Sequence, residues 1–399
     1  MRKVGILGGG QLGTMLAEAL FALDAQVRIY DADPRAPGVR RLREAVSAPW
    51  SDQAAVGRFV EGLDVLTYEF EHIDGSPLRA LGDSLRIVPS IRVLEVTQDR
   101  ALEKQFLAAS GLPHAAFAVA RSEAELREAA NRLGYPFILK TIRGGYDGKG
   151  QFHVAGHEDL AAAILALHER KSDFSCVLEE IIDLAVEVSC IVARDETGAE
   201  VTFPLFENAH EGHILDLTLV PARVPAEVAA VVREVALRTA RAVDLEGVLC
   251  IEFFVGRTAA RRSSGLAAAG LHVYVNELAP RPHNSGHVTR NACTASQYDV
   301  LARVLLGLPL HEPQLVDPTG SYCMGNLLGD VWIEQGRGAP GQGLDLSCWK
   351  DHPSVVDVVL YGKTEPKPRR KMGHFVVRAA DADTALAEAR AFRDHLRGR

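Results

Sequence analysis

Aromatic residues and long apolar runs are scarce in this chain. Phe, Trp and Tyr make up 6% of the 399 residues, and Gly5 and Gly8 already interrupt the first apolar stretch. No stretch approaches the roughly 18 consecutive apolar residues that a membrane-spanning helix requires. These absences predict a protein without a membrane span or a signal peptide, located in the cytoplasm.

Cysteine is too sparse and scattered for a disulfide framework or a zinc site. The six cysteines include no C-x-x-C pair, and four of them lie in apolar runs such as "GVLCIEFFV". Cysteine in such a run behaves as a small hydrophobic residue. We therefore expect reduced thiols in the core, as in cytoplasmic proteins, and no structural zinc.

Basic residues are outnumbered, with 44 Lys and Arg against 52 Asp and Glu and a net charge of -8. This balance argues against broad binding to nucleic acids. The length and the hydrophobic content of 47% predict a globular protein of two or three domains, because a single core rarely serves more than about 300 residues.

The N-terminal segment "GILGGGQLGTML" matches the G-x-G-x-x-G pattern at Gly8, Gly10 and Gly13. It lies between a strand pattern and a helix pattern, and Asp31 stands where a dinucleotide-binding domain has its ribose-binding acid. Alternating strand and helix patterns over residues 1–98 predict a parallel α/β domain. A dinucleotide and another phosphate ligand both fit this turn, because the N–H groups at a helix N-terminus attract any anion.

The rest of the chain divides where the pattern changes. A helix capped by Thr97 or Asp99 leads into a second α/β unit that begins near residue 115. Residues 185–308 predict antiparallel strands with two helices, and the Ala-, Gly-, Ser- and Arg-rich connection 256–270 predicts a mobile loop. From residue 315 onward we expect three strands and a final helix over 382–396.

The stretch "RGGYDGKGQ" (143–151) lies between two strand patterns, whereas a Walker loop joins a strand to a helix. Its glycines let backbone N–H groups turn toward an anion, and Lys140 and Lys149 add positive charge. We interpret it as a flap over phosphates. An ordinary glycine-rich hairpin turn is the alternative.

Two carboxylates interrupt otherwise buried strand patterns: Glu252 in "VLCIEFFV" and Glu277 in "VYVNELAP". A lone buried acid is costly unless it is paired or bound to a metal. Facing each other beside Asn276, the two acids suit Mg²⁺, which prefers hard oxygen ligands and bridges nucleotide phosphates. Pairing of each acid with an arginine is the alternative.

The segment "NELAPRPHNSGHVT" (276–289) places several anion-binding donors directly after Glu277. The donors are Arg281, His283, Asn284, Ser285 and His287, and they predict a place where an acidic substrate meets the γ-phosphate of a nucleotide. His287, taken alone, is interpreted as a structural histidine.

These two stretches, together with "YGKTEPKPRRKMGH" (361–374), resemble the motifs of the N5-carboxyaminoimidazole ribonucleotide synthetases, ATP-grasp ligases of purine biosynthesis. The resemblance extends over essentially the whole chain. It implies a mixed α/β and α+β ATP-grasp fold and a homodimer. The implied domains are a Rossmann-like pre-ATP-grasp domain (1–98), an ATP-grasp domain (99–314, with a small flap subdomain at about 115–184 and a large one at about 185–314) and a small β-rich C-terminal domain (315–399).

The resemblance also implies the reaction and its residues. ATP, bicarbonate and 5-aminoimidazole ribonucleotide would react through carboxyphosphate, with Mg²⁺ held by Glu252 and Glu277, and Arg281, His283 and Asn284 would be catalytic. The implied ATP-binding residues are Arg100, Lys140, Gly145, Tyr146, Asp147, Gly148, Lys149, Gly150, Gln151, Glu179, Glu180, Ile181, Ile182, Glu187, His210, Asn276 and Glu277. The implied ribonucleotide contacts are Gly10, Gln11, Leu12, Glu71 (or Glu69), Tyr146, Asp147, Ser285, Lys363, Arg370 and Lys371.

The chain departs from the family pattern at Arg369, where a glycine is usual, and at Leu184, where an aromatic residue is usual. Three other functions are considered. An ATP-grasp ligase that uses formate keeps the fold, and a non-catalytic nucleotide-binding regulator keeps the site. A nicotinamide dehydrogenase built on the first glycine turn leaves Glu252 and Glu277 unexplained.

Overall fold

The computed structural model describes residues 1–71, 73, 75–81, 84–143, 150–169 and 174–398. Residues 145–149 of the expected flap, namely Gly145, Tyr146, Asp147, Gly148 and Lys149, therefore lie outside the described residues. Within the described part of the chain, the strands form a parallel sheet and two antiparallel sheets. No helix in that part is long and apolar enough to cross a bilayer.

The N-terminal sheet is parallel, with the described strands in the order β3-β2-β1-β4-β5. The sequence pattern predicts strands at 3–7, 26–30, 64–68 and 86–88 and helices at 11–23 and 52–61, and these agree with the structure to within one residue at each end. Strand β1 is buried on both faces, because Ile6 packs in the cluster with helix α1 while Leu7 packs in the cluster with helix α3. The elements are β1 (Lys3–Leu7), α1 (Gln11–Ala22), β2 (Gln26–Asp31), α2 (Pro37–Arg41), β3 (Ala45–Ser47), α3 (Gln53–Val60), β4 (Val65–Tyr68), α4 (Ser76–Leu81), β5 (Arg86–Ile87) and α5 (Ile91–Gln98).

Asp99 starts the next unit by capping helix α6, since its side chain accepts hydrogen bonds from the N–H groups of Ala101 and Leu102. The following antiparallel sheet has the order β6-β9-β7-β8. Lys140 pairs with Gln151 across β7 and β8, so the expected glycine stretch does connect two paired strands. The elements are α6 (Arg100–Ala109), β6 (Phe117–Ala120), α7 (Glu123–Leu133), β7 (Phe137–Thr141), β8 (Gln151–Val154), α8 (His157–Glu169) and β9 (Cys176–Glu180).

The third sheet holds the two strands that carry the acids. Strand β14 pairs with β16 on one side and with β10 on the other, and helices α9 and α11 pack on it. The connection 256–270 differs from the expected mobile loop, because it contains strand β15 and because Ser263 Oγ donates a 2.7 Å hydrogen bond to Glu180. The elements are β10 (Leu184–Arg194), β11 (Glu200–Thr202), β12 (Phe206–Glu211), β13 (Ile214–Val220), α9 (Ala226–Ala242), β14 (Gly247–Gly256), β15 (Leu266–Ala268), β16 (Leu271–Ala279), α10 (Thr289–Ala292) and α11 (Gln297–Leu306).

The C-terminal strands extend this third sheet. Its described order is β15-β16-β14-β10-β12-β13-β17-β19-β18, with β13 paired to β17. The proposed boundary near residue 315 therefore divides one continuous sheet, and the final helix begins and ends where the sequence predicts. The elements are β17 (Ser321–Leu328), α12 (Gly329–Glu334), β18 (Val355–Leu360), β19 (Lys371–Ala379) and α13 (Ala382–Leu396).

Candidate active site

Glu252 and Glu277 lie directly opposite each other on β14 and β16. Burial, and then the charge of Glu277, raise the pKa of the Glu252 carboxyl to about 7. Two carboxylates this close repel each other, and a divalent cation between them would offset both charges. Among the described residues, no group of three or more His, Cys, Asp and Glu side chains is arranged to hold a metal. The pair therefore fits Mg²⁺ that takes its other ligands from phosphate and water.

A β-bulge sets the direction of Glu277. The register between the two strands passes from Glu252 opposite Glu277 to Phe253 opposite Val275, so Asn276 has no residue across from it. Bulges re-aim side chains and are common beside active sites. The expected pairing of the two acids thus depends on an irregularity that the strand pattern does not show.

Of the two cations expected at the phosphates, Arg100 lies next to Glu277 of this acid pair, and Lys140 pairs with Glu179 instead. Arg100 Nη2 is 3.8 Å from Glu277 Oε2, and Arg100 Nη1 donates to the Thr141 carbonyl at 2.9 Å. Lys140 Nζ is 3.0 Å from Glu179 Oε1. Burial lowers the pKa of Lys140 despite the opposing charge of Glu179. Both side chains are held by the protein at the place where phosphates are expected.

The segment expected to bind adenine begins at Glu179, and its side chain is already engaged. The carboxylate is 3.0 Å from both the Lys104 and the Lys140 ammonium, and the side chain is 4% exposed. Burial would raise the pKa of Glu179, but the two lysines outweigh it and lower the pKa to about 2. The Glu179 side chain, which the sequence predicts to contact adenine, instead forms a buried ion triad with Lys104 and Lys140. Contact of adenine with the backbone of residues 180–182 stays a prediction.

Glu187 and His210 meet on neighbouring strands, where His210 Nδ1 is 2.8 Å from Glu187 Oε2. Burial alone would lower the pKa of His210, but the hydrogen bond and the charge of Glu187 outweigh it and raise the pKa. Glu187 lies on β10 and His210 lies on β12, two neighbouring strands of the sheet that also carries Glu252 and Glu277.

Arg281 is held by Glu71, which comes from the N-terminal unit. Its Nε donates to Glu71 Oε2 and its Nη2 donates to Oε1, the second bond at 2.9 Å. Burial would lower the pKa of Arg281, yet the charge of Glu71 outweighs it and raises the pKa. Glu71, which is expected to contact the ribonucleotide, therefore also positions the guanidinium of Arg281, which is expected to bind bicarbonate.

His283 is fixed through its backbone and both ring nitrogens. Gln297 accepts from the His283 N–H and donates to its carbonyl, both at 2.8 Å. The ring Nδ1 lies 2.8 Å from Ser285 Oγ, and Nε2 lies 3.2 Å from Glu252 Oε1. Burial, and then the charge of Arg281, hold the pKa of His283 well below its usual value. A neutral ring therefore joins the anion-binding segment to the acid pair.

Ser285 has no exposed surface, which corrects its assignment as a substrate contact. Its hydroxyl contacts His283 and lies 3.0 Å from Ser189 Oγ, so it orients the histidine instead. Asn284 is engaged as well, because its side-chain amide exchanges hydrogen bonds of 3.0 and 2.9 Å with the amide of Asn326.

The first glycine turn already holds an anion of the protein itself. Glu69 accepts hydrogen bonds of 2.6 Å from the N–H groups of Gly10 and Gly13, and Asp31 accepts one from Gly9. A Cβ at Gly10 would overlap Glu69 Oε1, so a larger residue there would displace this carboxylate. The N–H groups of Gly9, Gly10 and Gly13 are therefore already engaged by carboxylates of the protein. Leu12, another expected contact, packs its side chain in the core.

The basic residues near the C-terminus adjoin the same region. Burial raises the pKa of Glu69, and Lys363 is near enough for its charge to oppose that rise. Lys363 Nζ donates to the Lys371 carbonyl at 2.7 Å, and Arg370 Nη1 donates to the Glu365 carbonyl at 3.0 Å. Arg369 has a φ of 65°, so the strain expected where the family has glycine is present. It amounts to about 1–2 kcal/mol.

Four residues that support the site escape sequence reasoning. Lys104 and Gln297 are polar residues on helices, where a polar side chain ordinarily faces solvent. Glu103 and Asn326 belong to no motif that the sequence analysis recognises. A single sequence carries no signal that these side chains point inward. All four are at most 3% exposed.

Comparison with known proteins decides the family. The ribonucleotide synthetase preATP-grasp domain matches residues 1–98, the ATP-grasp domain matches 105–298, and the phosphoribosylaminoimidazole carboxylase C-terminal domain matches 323–388. The N5-carboxyaminoimidazole ribonucleotide synthase of Bacillus subtilis (strain 168) is 33% identical over 96% of this chain and 93% of its own length. The chain belongs to this family.

Solved structures of the family agree. The N5-carboxyaminoimidazole synthetase from Staphylococcus aureus complexed with ADP is 32% identical, with a TM-score of 0.86, over 98% of this chain and 97% of that chain. The Aspergillus clavatus enzyme, in complex with ADP and 5-aminoimidazole ribonucleotide, is 29% identical, with a TM-score of 0.82, over 100% and 99%. The predicted family, ATP-grasp fold and enzyme class, an ATP-dependent ligase, are confirmed. As such a ligase it binds ATP and a small-molecule substrate, which rules out the dehydrogenase.

Proposed function

We propose that this chain carboxylates 5-aminoimidazole ribonucleotide to N5-carboxyaminoimidazole ribonucleotide, using ATP and bicarbonate and releasing ADP and phosphate. One observation carries the proposal in a chain of this family: His283 connects the acid pair to the anion-binding segment. Its Nε2 is 3.2 Å from Glu252, which itself lies opposite Glu277. The place for a metal-bound triphosphate is thereby adjacent to the place for an acidic substrate.

In this proposal the ATP phosphates contact Lys140 and Arg100, and the ribose hydroxyls contact Glu187 beside His210. Mg²⁺ held by Glu252 and Glu277 would neutralise phosphate charge, the main requirement of phosphoryl transfer. Lys140 and Arg100 are already fixed by Glu179 and the Thr141 carbonyl. Such preorganised charges cost no reorganisation when the reaction occurs.

Bicarbonate would be bound by Arg281, His283 and Asn284. One of its oxygens bonds to the γ-phosphorus as the bond to ADP breaks, which gives carboxyphosphate. The ribonucleotide amine then takes the carboxyl group, and phosphate leaves with the electron pair. Glu71 and Gln297 hold Arg281 and His283 in place for both steps.

The ribonucleotide phosphate would bind at Lys363, Arg370 and Lys371, and its imidazole would lie near Gln11 and Glu71. Because Glu69 fills the turn at Gly10, that turn would shape the wall of the site and leave the phosphate to the C-terminal cations. A homodimer in the cytoplasm belongs to the same proposal. Light scattering after size exclusion tests the dimer.

The deciding assay measures ADP release with each substrate omitted in turn. We expect release to need both bicarbonate and the ribonucleotide, with the N5-carboxylated product forming in equal amount. Turnover that requires formate and ignores bicarbonate would overturn the proposal in favour of a formate-using ATP-grasp ligase. Nucleotide binding without turnover under any of these conditions would favour the regulator.

A further inference from the structure

Helix α6 carries a buried lysine that none of the proposed roles uses. The Lys104 side chain is 1% exposed, although burial of an unpaired ammonium is strongly unfavourable. Its Nζ is 3.0 Å from Glu179 Oε2 on β9 and donates to the Asn276 carbonyl on β16 at 2.9 Å. The Lys104 ammonium group therefore connects the sheet of strands β6 to β9 with the sheet that carries Glu252 and Glu277.

The carbonyl that Lys104 binds belongs to the bulged residue. Asn276 has no residue opposite it on β14, so its backbone departs from the regular ladder. A buried carbonyl without a partner costs about as much as a lost hydrogen bond, and the charge-assisted bond from Lys104 prevents that cost. Since Glu277 is the next residue, holding the bulge holds the direction of the Glu277 carboxylate.

Neighbouring side chains on α6 contact the same short stretch of β16. Arg100, Glu103 and Lys104 are spaced i, i+3 and i+4, which places them on one face of the helix. Arg100 Nη2 is 3.8 Å from Glu277, and Glu103 Oε2 accepts from the Leu278 N–H at 3.1 Å. Three consecutive residues of β16 are thus fixed by one helical face, and only Lys104 among the three α6 side chains also reaches Glu179.

We propose that Lys104 is a positioning residue that fixes the bulge at Asn276, and with it Glu277, against Glu179 of the adenine-binding segment. Lys104 does not touch the nucleotide, because its ammonium lies between two protein oxygens and is shut off from solvent. It sets the distance between the two walls of the nucleotide cleft. The inference rests on the proposed nucleotide site and is independent of the identity of the carboxyl acceptor.

The test compares Lys104→Met with the wild type. Methionine keeps most of the volume and removes the ammonium, and the Glu179 carboxylate stays paired with Lys140. Calorimetric titrations with ADP are run with and without Mg²⁺, and steady-state rates give KM for ATP and kcat. Lys350→Met, at an exposed lysine, is the matched control.

We expect K104M to raise the dissociation constant of ADP in the presence of Mg²⁺ about tenfold or more, the effect of losing one charge-assisted hydrogen bond. KM for ATP should rise with it while KM for the ribonucleotide stays the same, and K350M should match the wild type. Should K104M not fold, K104Q replaces it and should change both constants in the same direction. Wild-type ADP affinity and KM for ATP in a folded variant would reduce Lys104 to a purely structural residue and overturn the inference.

The titration also separates this inference from the proposed function. Binding of ADP needs neither bicarbonate nor the ribonucleotide, so an unexpected acceptor would refute the proposed reaction and leave the result for Lys104 standing. Conversely, bicarbonate-dependent turnover with identical ADP affinities in K104M and the wild type would retain the function and reject the role of Lys104.

Discussion

Two stacked histidines make the stability of this protein depend on pH. His287 and His374 have no exposed surface, and their ring centroids are 4.6 Å apart with planes inclined by 17°. Tyr298 Oη lies 2.7 Å from His287 Nδ1, and Tyr361 Oη lies 2.9 Å from His374 Nδ1. Burial lowers the pKa of His374 to about 3, and burial followed by the neighbouring His374 lowers that of His287 well below its usual value. Both rings are therefore neutral in the folded protein.

Unfolding exposes both rings, and each then binds a proton with a pKa near 6.5. Below that pH the unfolded chain carries protons that the folded protein lacks, so the stability is fully present above pH 6.5 and is lost as pH falls. One such histidine changes the free energy of unfolding by about 1.4 kcal/mol per pH unit. The pair therefore removes about 3–4 kcal/mol between pH 6.5 and 5, a large share of the roughly 5–15 kcal/mol that stabilises a typical protein.

His374→Gln tests this reasoning, because it removes one titrating ring and keeps an amide near the Tyr361 hydroxyl. Urea denaturation is followed by tryptophan fluorescence at several pH values from 7.5 to 5. We expect H374Q to be less stable than the wild type at pH 7.5 but to lose about 1.4 kcal/mol less per pH unit below 6.5. The matched control is H311Q, at an exposed histidine. Equal losses in H374Q and the wild type between pH 6.5 and 5 would refute the argument.

Three further substitutions test the site. Glu277→Ala removes one of the two facing acids and should lower ATP turnover at least about a hundredfold with unchanged circular dichroism; near-normal activity would contradict the metal assignment. Glu71→Gln weakens the two hydrogen bonds that hold Arg281 and should raise KM for bicarbonate more than KM for ATP; equal changes in both would point to a general loss of structure. Arg369→Gly relieves the strain of φ 65° but loses the bond from its side chain to the Gly212 carbonyl, so the free energy of unfolding should rise by no more than about 1 kcal/mol; a clear fall would show that the bond outweighs the strain.

The acids were predictable from the sequence for a simple physical reason. Glu252 and Glu277 interrupt apolar strand patterns, and a carboxylate that is buried in such a place requires a compensating charge. This reason applies more to Glu252, whose side chain is 20% exposed, than to Glu277, whose side chain is 46% exposed. The cations that surround them were predictable only in part. Lys140 adjoins the glycine-rich stretch, whereas Lys104 lies on an amphipathic helix, where a lysine ordinarily indicates the solvent side. Periodicity gives the face of a helix and does not tell which polar residue of that helix is buried with a partner.

The glycine turn shows the complementary limit. The pattern at Gly8, Gly10 and Gly13 correctly predicts a strand, a tight turn and a helix. A Cβ at Gly8 or Gly10 would meet the Glu69 side chain, and a Cβ at Gly13 would meet the Gly8 carbonyl. The pattern does not determine whether the anion that approaches these glycines belongs to the protein or to a ligand. Glu69 lies 56 residues from Gly13 in sequence, and only the pairing of β1 with β4 brings it to the helix. A motif thus specifies the electrostatic requirement of a site, while the topology of the sheet determines whether the protein or a ligand meets it.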